Sequence, residues 1–131
     1  MEIDHLVLPV SSYAAGKRFY QRALAPLGFS IRMDWPDRHR AYFGPPGEPS
    51  SLWMFESPAA GTLELSLRAG DPRIVEGFHD AAVAAGAASQ HGPAMDSDRT
   101  GDHYSARVTD PDGNRLEVVF RSAAQEASLA A

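Results

Sequence analysis

The side chains able to do chemistry in this chain are imidazoles, carboxylates and guanidiniums. It has five histidines and no cysteine, which excludes disulfides, thiolate metal sites and a cysteine nucleophile. Several of these residues alternate with apolar ones, and in a strand such alternation separates two faces. Glu64, Ser66 and Arg68 alternate with Leu63, Leu65 and Leu67; Glu117 lies between Leu116 and Val118; His103, Ser105 and Arg107 alternate with Tyr104, Ala106 and Val108. Leu6, Leu8 and Val10 leave His5 and Val7 opposite them. If the apolar set faces helices, His5, Glu64, Glu117, His103 and Arg107 share the other face. Imidazole beside carboxylate suits acid–base work or an ion pair. Arg107 suits an anionic substrate or a structural ion pair. The plain alternative is a solvated sheet surface. His39, His79 and His91 fall in loops or on a helix flank and read as surface residues.

The elements that must position these residues follow from periodicity. Ile3 to Val10 reads as a strand, and Ser11 or Ser12 caps a helix whose apolar residues recur to Leu24. Pro26 and Gly28 stop it. Phe29–Met33, Arg40–Phe43 and Ser51–Phe55 read as strands, separated by a polar turn at Trp35–His39 and a loop at Pro45–Pro49. Thr62–Ala69 is a clearly alternating strand. Asp71 caps a second helix, Pro72 takes its first position, and Gly86 closes it. Ala87–Gln90 reads as a short strand, His91–Gly101 as a loop, and His103–Thr109 and Arg115–Phe120 as strands. Asp110-Pro111-Asp112-Gly113-Asn114 joins the last two as a tight turn. From Ser122 the chain is small, polar and Ala-rich and is expected to fray or form a loose helix.

The order repeats. His5 precedes Phe19 by fourteen residues and Glu64 precedes Phe78 by fourteen; Gly28 and Gly86 follow those phenylalanines by nine and eight. Two βαβββ units result. The expected fold is α+β: one domain over residues 1–121, its two modules spanning about 1–58 and 61–121, with 122–131 as a tail. The opening Ile3-Asp4-His5-Leu6-Val7-Leu8-Pro9-Val10, the helix with Phe19-Tyr20 and the ending Asp110 to Glu117 resemble the vicinal oxygen chelate superfamily. That group includes glyoxalase I, bleomycin- and fosfomycin-resistance proteins and extradiol dioxygenases. The resemblance covers roughly residues 2–121 and implies one cup-like mixed sheet with helices outside.

The resemblance also implies a divalent metal in the cup. His5 matches the first-strand ligand and Glu117 the last-strand ligand. The third position, usually histidine, falls on Glu64, and the fourth falls near Trp53, which cannot ligate. Imidazole plus two carboxylates can hold Mn, Fe, Zn, Mg or Ni, with the oxygens favouring harder ions. Such a metal would act as Lewis acid on a small oxygen-rich or aromatic substrate, with Glu117 or Glu64 as catalytic base where free of metal. Glu64 and Glu117 are expected to repel each other across the cup, with His5 or a metal between them. The alternative function needs no cofactor: a cup that sequesters a small molecule between Trp53, Phe55, Tyr42 and Tyr104, with His103 and Arg107 as further substrate-binding candidates. Superfamily members commonly pair, so a homodimer is expected.

Composition narrows the classes. The formal net charge is −5, and without a basic patch nucleic-acid binding is not expected. No apolar run approaches the roughly 18 residues of a membrane span, and no signal-peptide pattern opens the chain. A cytoplasmic single domain is the expectation. No phosphate loop, nucleophile elbow or zinc-protease motif is present.

Overall fold

The computed structural model describes residues 1–130, apart from the side chains of 128 and 130. Module one runs β1 (Leu6–Val10), α1 (Tyr13–Ala23), β2 (Ser30–Trp35), β3 (Arg40–Gly44) and β4 (Leu52–Glu56). Module two runs β5 (Glu64–Arg68), α2 (Pro72–Ala84), β6 (Ala88–Asp98), β7 (Gly101–Thr109) and β8 (Arg115–Phe120), followed by α3 (Ala123–Ala130). The βαβββ repeat read from the sequence is therefore present twice. Each module forms a four-stranded sheet, in the order β1-β4-β3-β2 and β5-β8-β7-β6. In both, the first and last strands of the module pair in parallel and the rest antiparallel. Strand hydrogen bonding stays within each module, so there are two mixed four-stranded sheets rather than the one continuous sheet expected.

The helices form where their caps and stripes dictate. Ser12 accepts from the Ala15 amide at 3.2 Å, and Phe19, Tyr20 and Ala23 bury one stripe of α1. Asp71 accepts from the Arg73 amide at 2.7 Å, Pro72 occupies the first turn, and Val75, Phe78 and Ala82 are buried. Full burial of a side chain such as Phe78 contributes roughly 1.5–3 kcal/mol. One core joins these stripes to the inward residues of both sheets, among them Leu8, Phe43, Met54, Val108, Leu116 and Val118. The helices cover one face of each sheet and leave the other without a helix, save where α3 reaches the second. No described helix is long and apolar enough to cross a membrane.

The turn Asp110–Asn114 is the joint between modules. Asp110 accepts from the amides of Asp112 at 2.9 Å and Asn114 at 2.8 Å, and from the Tyr20 hydroxyl of α1. Asn114 accepts from the amides of Gly61 and Leu63, each at 3.1 Å, and donates to the Pro9 carbonyl at 2.9 Å. Ser11 donates its amide and hydroxyl to Asp112. Gly61 is required here: its φ is 91°, and a Cβ would lie 2.4 Å from the Asp112 carbonyl oxygen.

Three further expectations need correction. The first strand begins at Leu6 rather than Ile3, so His5 stands just before it. Trp35 ends β2 instead of lying in a turn. His91–Asp98 is strand, not loop, because it pairs with β7 through a hairpin closed at Asp98 and Gly101. Irregular register between Ser89 and Ala94 interrupts the period-2 pattern there, which is what concealed the strand. The tail takes the second of its two expected forms, the helix α3, tied to β5 by Glu126 and Arg68 at 3.1 Å.

Candidate functional site

On the first sheet, burial of Ala41, Phe43, Leu52 and Met54 turns Tyr42, Trp53, Arg40 and Phe55 to the open face. Cross-strand register sets Val7, Trp53, Tyr42 and Met33 in one row, and Pro9, Phe55, Arg40 and Trp35 in the next. The rings organise that face. His5 stacks on Trp53 at 3.4 Å, and Trp53 on Tyr42 at 4.4 Å with only 2° between planes. Trp35 meets Tyr42 edge-on at 4.8 Å. Arg40 lies over the Phe55 ring at 4.4 Å. Offset and edge-on aromatic pairs of this kind each contribute about 0.5–1.5 kcal/mol beyond burial.

The second open face is polar. Ser66, Glu117, Arg107 and His91 lie opposite one another across four strands. Ser66 donates to Glu117 at 2.6 Å, Arg115 is 3.8 Å from Glu64, and Arg107 is 3.6 Å from Asp96. Glu64, Ser66, Gln90, Arg107, Arg115 and Glu117 line a cavity of about 370 Å³. Further along β7, His103 and Ser105 are buried, and the His103 Nδ1 lies 3.8 Å from Asp98. Thr100 donates to Asp98 through its hydroxyl and its amide, and these bonds hold that carboxyl below its ordinary range.

The structure therefore sorts the sequence-derived candidates into two sets. Trp53, Phe55, Tyr42 and His5 share the first face. Glu64, Glu117 and Arg107 share the second, with His103 deeper on the same side. Tyr104 belongs to neither: its hydroxyl donates to Glu76 of α2 at 3.2 Å, which places it on the helix side. Glu64 lies opposite Arg115, and Glu117 opposite Ser66 and Arg107, so the two carboxylates are not cross-strand partners. His5 does not lie between them; it pairs with Asp4 at 2.7 Å and covers Trp53. Among the described residues no three His, Asp or Glu side chains gather as a metal site. Within one chain, His5, Glu64 and Glu117 do not fit a metal as a set.

Of the remaining histidines, His39 is exposed, pairs with Glu56 at 3.3 Å and stacks on Tyr13. His79 meets the Ser89 hydroxyl at 2.8 Å. His91 joins the second face with a buried Nδ1 that has no partner, contrary to its reading as a surface residue. Arg40 and Trp35 also belong to the site and were missed. Their signal lay in the alternation Arg40-x-Tyr42 around buried Ala41, which sets arginine and tyrosine on one face.

Paired βαβββ modules with one helix-free face on each sheet define a class of small-molecule-site folds. The family comparison agrees: the Glyoxalase/Bleomycin resistance protein/Dioxygenase superfamily matches residues 2–118, and the chain belongs to it. Virulence protein STM3117 of Salmonella typhimurium is 30% identical over 124 residues, covering 88% of this chain and 81% of that protein. A glyoxalase/bleomycin resistance protein from Albidiferax ferrireducens T118 has the same fold, with a TM-score of 0.78 at 24% identity, covering 90% of this chain and 98% of its own. TnmS3, an antibiotic binding protein from Streptomyces sp. CB03234, aligns with a TM-score of 0.68 at 26% identity, covering 93% of this chain and 97% of its own.

Proposed function

We propose that this protein binds a small, largely aromatic molecule against the open face of its first sheet and sequesters it. The observation that carries this reading is the continuous stack His5–Trp53–Tyr42, flanked by Trp35 and by Arg40 over Phe55. A sheet face meant only for solvent has no use for such a row of rings. The antibiotic-binding relative supports the same class of activity. We take residues 1–121 as one domain working in the cytoplasm. We also take the working form to be a homodimer, because Val7, Met33 and Trp35 expose apolar surface beside the stack and each sheet keeps two unpaired edges.

The test is a tryptophan-fluorescence titration of the full chain with planar aromatic compounds, alongside light scattering. Saturable quenching that Trp53→Ala weakens by about tenfold, or 1.4 kcal/mol, is expected. Quenching unchanged in the variant overturns the reading.

A second reading rests on Glu64 and Glu117, which share the second face. In a homodimer, the His5-bearing face of one copy could meet this carboxylate face of the other and complete a divalent-metal enzyme. Elemental analysis of protein purified without chelator tests it. Metal bound stoichiometrically and lost in Glu117→Gln supports the enzyme; no bound metal, with a melting temperature indifferent to Mn and Zn, removes it.

A further inference from the structure

The first open face carries a charge that the aromatic stack does not use. Arg40 is half-buried, its Nε is buried without a hydrogen-bond partner, and its guanidinium rests on the Phe55 ring. Among the described residues no carboxylate pairs with Arg40 or with its neighbour Arg38. By contrast, Arg68, Arg73, Arg107 and Arg115 each meet one. Other unpaired arginines such as Arg18, Arg22 and Arg32 are exposed to water, which solvates them. A partly dehydrated guanidinium without a counter-ion is unfavourable, and a stacked ring offsets only part of that cost. In a chain of net charge −5 a carboxylate partner would have been easy to supply.

Arg38 and Arg40 line a cavity of about 320 Å³ whose other two walls are Trp35 and Tyr42. Their rings stand 74° apart and form a corner. The volume is at the lower end for ligand sites, roughly 300–1,000 Å³, so a compact molecule fits. Planar guanidinium groups recognise planar, two-oxygen anions through paired N–H donors. Trp35, the exposed ring of the corner, offers a flat face to stack on, and Tyr42, already stacked on Trp53, closes the corner beside it.

We infer that this corner recognises a planar aromatic anion, its ring against Trp35 and Tyr42 and its anionic group on Arg40, with Arg38 assisting from the rim. The inference rests on the ligand-binding reading above and gives it a substrate class. It assigns Arg40 the role of reading charge, which distinguishes an arene carboxylate from a neutral arene of the same shape.

The experiment is calorimetric titration of the full chain with 2-naphthoate, 2-naphthamide and cyclohexanecarboxylate. Naphthoate is expected to bind at least about tenfold more tightly than either of the others, and added salt is expected to weaken naphthoate but not naphthamide. In Arg40→Gln the preference for naphthoate over naphthamide is expected to disappear. The salt response of the unaltered protein carries the same test without relying on the variant's folding. Equal affinity for naphthoate and naphthamide overturns the anion assignment and leaves aromatic binding standing. Equal affinity for naphthoate and cyclohexanecarboxylate overturns the aromatic assignment. If neither naphthalene compound binds, the ligand-binding reading falls with the inference.

Discussion

The joint between the modules and the open sheet faces treat polar groups in opposite ways. At the joint, Asp110 and Asn114 are buried and extensively hydrogen-bonded to Pro9, Tyr20, Gly61 and Leu63. On the faces, Arg40 Nε and Trp53 Nε1 of the first sheet, and His91 Nδ1, His103 Nδ1 and Ser105 Oγ of the second, are buried without partners. These are the buried side-chain polar atoms left unpartnered among the described residues, and none lies at the joint. Buried polar groups in folded proteins are nearly always paired, and each exception calls for a cause such as strain, a catalytic role or a bound water or ion. The joint is built to hold the fold. The faces are left unfinished in the single chain.

On this contrast, changes at the joint are expected to cost stability and changes on the faces to cost binding. The largest effect is expected from Asn114→Ala. It removes the acceptor of two amides and the donor to the Pro9 carbonyl, all in a water-poor site. We expect a loss of about 3 kcal/mol by urea denaturation. A loss under half of that would show that water or backbone relaxation replaces the side chain, and the joint would no longer stand apart.

Tyr20→Phe comes next. The hydroxyl donates to Asp110 from a buried ring, and burial foremost, with the Asp110 charge, pushes its pKa well above the ordinary tyrosine range. Removing it leaves the carboxylate short of one donor while packing is kept, so we expect about 2 kcal/mol. Little change by the same denaturation would show that the amides of Asp112 and Asn114 satisfy Asp110 without the tyrosine.

Trp53→Ala probes the other side of the comparison. The ring is only half-buried and is held by two stacking partners. We expect a stability loss of about 1–2 kcal/mol, smaller than at the joint, together with the weakened aromatic binding described above. A stability loss exceeding that of Asn114→Ala would show that the stack belongs to the core, and that the two regions do not differ as argued.

Much of the joint was legible in the sequence. Asp110-Pro111-Asp112-Gly113-Asn114 announces its own turn because its residues set local backbone conformation, and the helix caps Ser12 and Asp71 do the same. Strand alternation also named the correct open face for Glu64, Glu117 and Arg107. What it could not tell is which open faces meet. Period 2 fixes a residue's side of its own sheet but not the placement of one sheet relative to another, so His5 and Glu117 were assigned to one site that a single chain does not assemble. Trp35, read as the start of a polar turn, instead ends β2, and a residue before proline is extended in a turn and in a strand alike.

The smallest predicted effect concerns a cluster outside both regions. Asp34 on β2 accepts from Lys17 Nζ at 2.6 Å and from the Tyr13 hydroxyl. Burial acts to raise the Asp34 pKa, but the bonds from Lys17 and Tyr13 outweigh it and hold the carboxyl below its ordinary value. For Lys17, the bond to Asp34 raises its pKa despite burial. The two signs define a window. The lowered carboxylate contributes stability above its unfolded pKa of about 3.9, and that contribution is lost as pH falls through the folded value. The raised ammonium contributes below its unfolded pKa of about 10.4, and that contribution is lost as pH rises through the folded value. Lys17→Met should therefore cost most between these limits, by about 0.5 kcal/mol for a partly exposed pair, and progressively less toward either extreme. Melting curves of both proteins at pH 3, 7 and 11 measure the difference. A gap that stays constant across that range would mean that Lys17 acts through the packing of its alkyl stem on Tyr13 rather than through its charge.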